Sequence, residues 1–157
     1  VSEGEVDTFT GTYTVARVDI LHDVGESINP AIDVGQIEGG FIQGMGWLTT
    51  EELVWGQDGR LQTNGGASYK IPAVGDTPKQ FNVALLKNSK NHEATIYHSK
   101  AVGEPPLMHG ISVWSALRDA IWAAGDEQTN PQLNTPATPE RVLWALEAVK
   151  ASIVESV

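Results

Sequence analysis

The 157 residues are 41% hydrophobic and 19% charged, and 10 Lys and Arg against 20 Asp and Glu give a formal net charge of −10. That is enough chain for one domain with a real core, while an acidic balance without a Lys/Arg cluster argues against nucleic acid as a partner. The absence of cysteine excludes disulfides and thiolate-held zinc or iron–sulfur centres within the chain, and no apolar run reaches membrane-spanning length and no signal-peptide pattern opens it, so a cytoplasmic protein without a membrane partner is expected.

In chain order, Val1 to Asp7 reads as a strand already under way, Thr8 to Thr12 as a turn, and Tyr13 to Leu21 as a second, alternating strand. A hairpin entered near its beginning, without an initiator Met, suggests a piece of a longer polypeptide. A helix is expected to start either with Asn29 as cap and Pro30 in the first position, or one turn later with Asp33 and Gln36 as a capping-box-like pair. It runs to about Thr50, with Ile37, Phe41, Met45 and Leu48 on one buried face.

Glu51 to Trp55, the turn Gln57-Asp-Gly-Arg, and Leu61-Gln-Thr read as a short hairpin. Residues 64–80 are loop-like, and Phe81 to Leu86 and Ala94 to His98 read as further strands. A helix from about Pro106 to Ala124 carries Leu107, Ile111, Trp114, Leu117 and Ile121 on one stripe. Residues 125–137 form a connector. The last helix is capped by Thr138, has Pro139 at its first position, and lines Val142, Leu143, Leu146 and Val149 along one face. Strands early and helices later argue for an α+β fold of short antiparallel strands and hairpins with three main helices. The tryptophans (Trp47, Trp55, Trp114, Trp122 and Trp144) fall mostly on apolar stripes and are expected in the core. His22, His92, His98 and His109 show no metal-ligand spacing, so solvated or packed roles are expected for them, and no metal-ligating residue is identified.

Two segments carry chemistry. Residues 35–46, Gly-Gln-Ile-Glu-Gly-Gly-Phe-Ile-Gln-Gly-Met-Gly, place many glycines in one helix, at a cost of about 1 kcal/mol each relative to Ala. Either a neighbouring element or a ligand uses the space left by the missing side chains. Gln36 and Gln43 lie on roughly one side of that helix and offer neutral donors and acceptors to a polar cofactor; bonding to local backbone is the competing reading. No GxGxxG or P-loop pattern is present. Residues 99–106, Ser-Lys-Ala-Val-Gly-Glu-Pro-Pro, hold Glu104 between a glycine and two prolines. Gly103 allows close backbone approach to a ligand or a positive φ, Pro105 biases Glu104 toward extended geometry, and Pro106 suits a first helical turn. Such a carboxylate is either a positioned base or a complement to the helix dipole. Lys100 either steers an anionic substrate or stabilises the base, or is a solvated loop lysine.

Together, the run from Asp23 to Trp47, Tyr69-Lys-Ile-Pro-Ala and Ser99 to Pro106 resemble, in order and approximate spacing, the molybdenum-binding subunit of the xanthine dehydrogenase family of molybdopterin hydroxylases. The resemblance covers roughly residues 1–125, while 126–157 resemble the variable C-terminal end, so 1–157 reads as a C-terminal piece of the molybdopterin-binding domain. It implies a hydroxylase that oxidises hypoxanthine and xanthine to urate with water as oxygen source. Glu104 would be the general base, Gln36 would approach the molybdenum ligands, Gly103 would sit against the cofactor, and the glycine-rich helix would pack beneath it. Molybdopterin would be shared with upstream segments of the same subunit. Iron–sulfur clusters and FAD would reside on other domains or subunits, and the rest of the molybdenum subunit, an iron–sulfur/FAD subunit and a purine would be the partners. The family's glycine-rich phenylalanine loop and substrate-contacting arginine are not in this sequence, so the isolated chain is expected to be inactive. Two alternatives remain open: a non-catalytic stand-alone fragment acting in subunit assembly, and a hydroxylase of aldehydes or other N-heterocycles.

Overall fold

A computed structural model describes residues 1–125 and 127–155. Residues 126, 156 and 157, which the sequence reading places in the connector and the C-terminal end, lie outside the described residues. β1 (Ser2–Val6) and β2 (Tyr13–His22) form the expected antiparallel hairpin, with Ser2 opposite Val18 and Val6 opposite Tyr13. Its turn is closed by Asp7 N–H to Thr12 O at 2.8 Å and needs Gly11, which has φ +70° and lies against the backbone of Pro139 and Leu143. The register slips between Glu3 and Gly4, where an added Cβ on Gly4 would stand 3.3 Å from Leu117 Cδ2.

β3 (Gln80–Leu85) adds to the other edge of β2, parallel to it, pairing Arg17 with Gln80 and His22 with Leu85. A parallel neighbour requires a long crossover, here α1 and the loop that follows. The alternation along β3 is clean: Phe81, Val83 and Leu85 turn inward while Gln80, Asn82 and Ala84 face out. The hairpin expected around Gln57 forms in short form: an antiparallel bridge between Trp55 and Leu61 is flanked by Gly56 N–H to Arg60 O and Gln62 N–H to Val54 O, both 2.8 Å, with Gly59 at φ +77° in the turn.

α1 (Pro30–Thr49) starts at the first of the two expected caps: Asn29 Oδ1 accepts from Ile32 N–H at 3.4 Å, and Pro30 occupies the first turn. Asp33 instead accepts from the Ser27 hydroxyl. Ile37, Phe41 and Met45 are buried against β2 and β3, with the Phe41 and Phe81 rings 5.3 Å apart. α4 (Pro139–Glu155) is capped by Thr138, whose Oγ1 accepts from Arg141 N–H at 3.4 Å, and buries Val142, Leu146 and Val149. The fold is α+β, with one core shared by α1, α3, α4 and the inner face of the sheet.

Three expectations are corrected. The helix expected over Pro106 to Ala124 is divided into α2 (Pro105–Met108) and α3 (Ile111–Ala123); between them His109 and Gly110 bond to residues three back, Pro106 and Leu107, and Gly110 sits on the backbone of Gly44 and Met45. Val113, Leu117 and Ile121 form the buried stripe of α3, while Ile111 is exposed. Ala94 to His98 is a 3₁₀ turn rather than a strand: Tyr97 and His98 have φ of 52° and 56°, outside strand geometry. Trp47, Trp55, Trp122 and Trp144 are exposed and Trp114 is half-buried. Large rings with an N–H to satisfy sit at the edges of the helical stripes, where smaller aliphatic residues fill the centre. No described helix is long and apolar enough to cross a membrane.

Candidate active site

The surface of α1 sorts its glycines by neighbour. Positions 36, 40 and 44 follow one another every fourth residue and so share a face, and that face meets the segment carrying Glu104. A Cβ on Gly40 would stand 3.0 Å from Pro106 Cβ and 3.5 Å from Gly103 O, and one on Gly44 would lie 2.9 Å from the Leu107 carbonyl carbon. These glycines let α2 lie directly on the backbone of α1. Gln36 closes the row: its Oε1 is 3.8 Å from where a Cβ on Gly103 would be. Gln36, far from Gly103 and Glu104 in the chain, is therefore their neighbour at one exposed end of the α1–α2 contact.

Glu104 is the residue before α2, is exposed, and makes no side-chain capping bond. Its backbone is helical, φ −94° and ψ −35°, not extended as the following proline suggests. The carbonyl of Glu104 accepts from Leu107 N–H at 3.0 Å, and this turn, pressed onto α1, overrides the proline's preference. Gly103 does not use a positive φ; close approach is its role. Because α2 is one turn long, the dipole behind Glu104 is that of a single turn rather than of the long helix expected.

The segment before Glu104 is anchored to the end of β2. Gly25, at φ +67°, forms a bridge with Ser99, and Lys100 N–H donates to Val24 O at 2.8 Å. Lys100 is not a freely solvated lysine: its ammonium is paired with Asp23. Lys100, with Gly25 N–H donating at 2.9 Å, lowers the Asp23 carboxyl to about 2.

A histidine pair that the sequence reading did not find lies at the other end. His22 Nδ1 and His109 Nε2 are 2.9 Å apart with the rings edge to face at 74°. One ring must donate its N–H and the other accept. Burial is the first cause lowering both pKa values from the ordinary 6.5; His109 adds to it at His22, with Asp23 and Asp33 opposing, and the N-terminal ammonium adds to it at His109. A base whose pKa falls on folding binds fewer protons in the folded state, so stability is intact above about pH 6.5 and is lost as pH falls below it. The thermal melting point is expected to fall between about pH 7 and 5 more steeply than in the His22→Leu/His109→Leu variant. Parallel curves would show that the pair titrates as in the unfolded chain.

The remaining glycines test whether these residues suit a molybdopterin. Gly35 and Gly39 are exposed on α1 beside Gln36, and a Cβ on either meets nothing within 4 Å among the described residues. No described residue accounts for these helical glycines, which leave bare helix backbone next to the Gln36 amide, a surface that a cofactor can lie on. The residues fit the group. Gly39→Ala is expected to raise stability by about 1 kcal/mol from helix propensity while lowering the molybdenum content of the complete enzyme. Unchanged molybdenum would remove this stripe from the cofactor's bed. Among the described residues no group of three or more His, Asp and Glu could hold a metal ion.

A family model described as the molybdopterin cofactor-binding domain matches residues 1–78. Xanthine dehydrogenase/oxidase of Gallus gallus is 53% identical over 144 residues, covering 90% of this chain and 10% of that protein. Xanthine dehydrogenase of Oryza sativa subsp. japonica is 52% identical over 154 residues, covering 92% and 11%. The chain thus spans about a tenth of the length of the curated relatives it matches. Quinoline 2-oxidoreductase from Pseudomonas putida 86 has TM-score 0.80 at 27% identity over 90% of this chain and 17% of its own. The Cu,Mo-CO dehydrogenase shares the fold, with TM-score 0.75 at 23% identity over 92% and 17%. Half the residues over nine-tenths of the chain are shared with proteins named xanthine dehydrogenase, and the fold is shared with quinoline 2-oxidoreductase; this chain belongs to the xanthine dehydrogenase family of molybdopterin-dependent oxidoreductases.

Proposed function

We propose that this chain supplies the base-bearing wall of the active site in a hydroxylase that oxidises hypoxanthine and xanthine to urate. The observation that carries the reading is the meeting of Gln36, Gly103 and Glu104 at one end of the α1–α2 contact. Bound molybdopterin would supply the two-electron redox chemistry and the oxygen-transfer centre. Glu104, exposed and free of other hydrogen bonds, accepts the proton that must leave as water's oxygen becomes a hydroxyl on an electron-poor purine carbon. Gln36 offers a neutral amide, which can orient an oxygen ligand without adding charge beside a charged metal. Gly103 keeps the space between them clear of a side chain.

The chain acts with the remainder of a molybdenum-binding subunit, which completes the cofactor's surroundings, and with an iron–sulfur/FAD unit that removes the electrons. Relatives at about half identity named as xanthine dehydrogenases favour a purine over the aldehydes named for more distant structures. The test is turnover by the complete enzyme of xanthine against a simple aldehyde, with urate followed in ¹⁸O-labelled water. Labelled urate is expected; aldehyde oxidation with no urate would overturn the purine assignment.

A further inference from the structure

The last residue of β2 and the one after it, His22 and Asp23, reach opposite ends of a single segment. Successive residues of an extended chain point to opposite sides. Asp23 pairs with Lys100, and His22 bonds His109 at 2.9 Å. Glu104 lies between these two attachments. Among the described residues, Ala101, Val102 and Gly103 make no hydrogen bond, and the Glu104 side chain has none. Packing on Gly40 and Gly44 seats this segment on α1, and because its middle makes no hydrogen bond of its own, the carboxylate's reach also depends on where the two ends are fixed.

We propose that His22 and Asp23 are positioning residues that grip the 100–109 segment at both ends, and that this double hold sets the reach of the Glu104 carboxylate toward the substrate. The inference rests on reading Glu104 as the base. The backbone bond from Lys100 to Val24 fixes the height of the segment at one end only. The ion pair fixes its direction there, and the histidine pair fixes the α2–α3 corner at the other end. An error of about 1 Å in a reacting group costs on the order of 100-fold in rate, so small slack at either end is visible in kcat.

The groups facing the hold are few. Asp23 meets Lys100, the Gly25 N–H and Ser89, and the histidines feel Asp23, Asp33 and the N-terminal ammonium. Lys100 and Asp23 are each about a third exposed, at 33% and 38% of their side chains, so their replacement leaves the core intact.

The experiment compares Lys100→Met, Lys100→Arg and His22→Leu/His109→Leu in the complete enzyme, with Glu104→Gln beside them. The expected result is a tenfold or greater loss of kcat in Lys100→Met and in the double histidine variant, with KM and molybdenum content unchanged, and recovery of most of kcat in Lys100→Arg. Wild-type kcat in both would overturn the proposal. So would a raised, salt-dependent KM at constant kcat, which would make Lys100 a substrate contact, or a loss of molybdenum in step with kcat, which would make the hold merely structural. If Glu104→Gln itself turns over normally, the base assignment fails. If it is inactive while the other variants behave as wild type, only the double hold fails.

Discussion

Glu104→Gln in the complete enzyme is expected to lower xanthine turnover by about a thousandfold, within the range a positioned general base contributes, with molybdenum still bound. The residue is exposed and its side chain caps nothing and pairs with nothing. Exposed substitutions of that kind change stability by only about ±0.5 kcal/mol, so the lost rate would not be a folding defect in disguise. Glutamine keeps the shape and the hydrogen-bonding oxygen but cannot take up a proton at working pH. Turnover and metal content, measured on one preparation, decide the matter. Undiminished turnover would remove Glu104 from the chemistry and leave the Val-Gly-Glu-Pro-Pro stretch as a packing motif.

Gly44→Ala is expected to cost about 1–2 kcal/mol net, an overpacking penalty of about 2–3 kcal/mol outweighing the helix-propensity gain of about 1 kcal/mol. The obstruction is backbone: the new methyl would press on the Leu107 carbonyl, and Gly110 already rests on the Gly44 backbone. A Cβ at Gly110 would in turn stand 2.6 Å from Met45 N. With no side chain able to swing away, α2 must lift from α1, carrying Glu104 with it. A lower melting point together with reduced turnover is expected, in contrast to Gly39→Ala on the open stripe. A melting point equal to wild type would show that the α1–α2 contact is looser than its glycines imply.

Much of this arrangement was legible in the order of residues. The hairpin, the Asn29 cap of α1, its buried face and the Thr138 cap of α4 all depend on local periodicity and terminal chemistry, which sequence displays directly. The crowding of glycines in α1 showed that something comes close, but not that the row at 40 and 44 receives α2 while 35 and 39 face open space. That partition depends on which element lies against each face. The same limit explains Ala94 to His98, where Thr-Ile-Tyr suits a strand by propensity but the turn gives it no partner. The parallel placement of β3 is set by a crossover and not by its own alternation. Glu104, Gln36 and Gly103 stand as candidates on their motifs and on the resemblance those motifs carry. The contacts of His22 with His109 and of Asp23 with Lys100 were not legible, because side chains that meet across the fold leave no spacing to read.

The parallel pairing of Arg17 with Gln80 also orders events in time. β1 and β2 can close as soon as their tight turn exists, whereas the opposite edge of β2 must wait until α1 and the whole loop behind it have left the ribosome. Distant pairings of this kind are the slow ones, since a long loop must be closed before any contact compensates for it. The 100–109 segment follows later still in the chain, yet it fastens to residues at the end of that same early strand. The segment that bears Glu104 is therefore anchored on a strand made long before it.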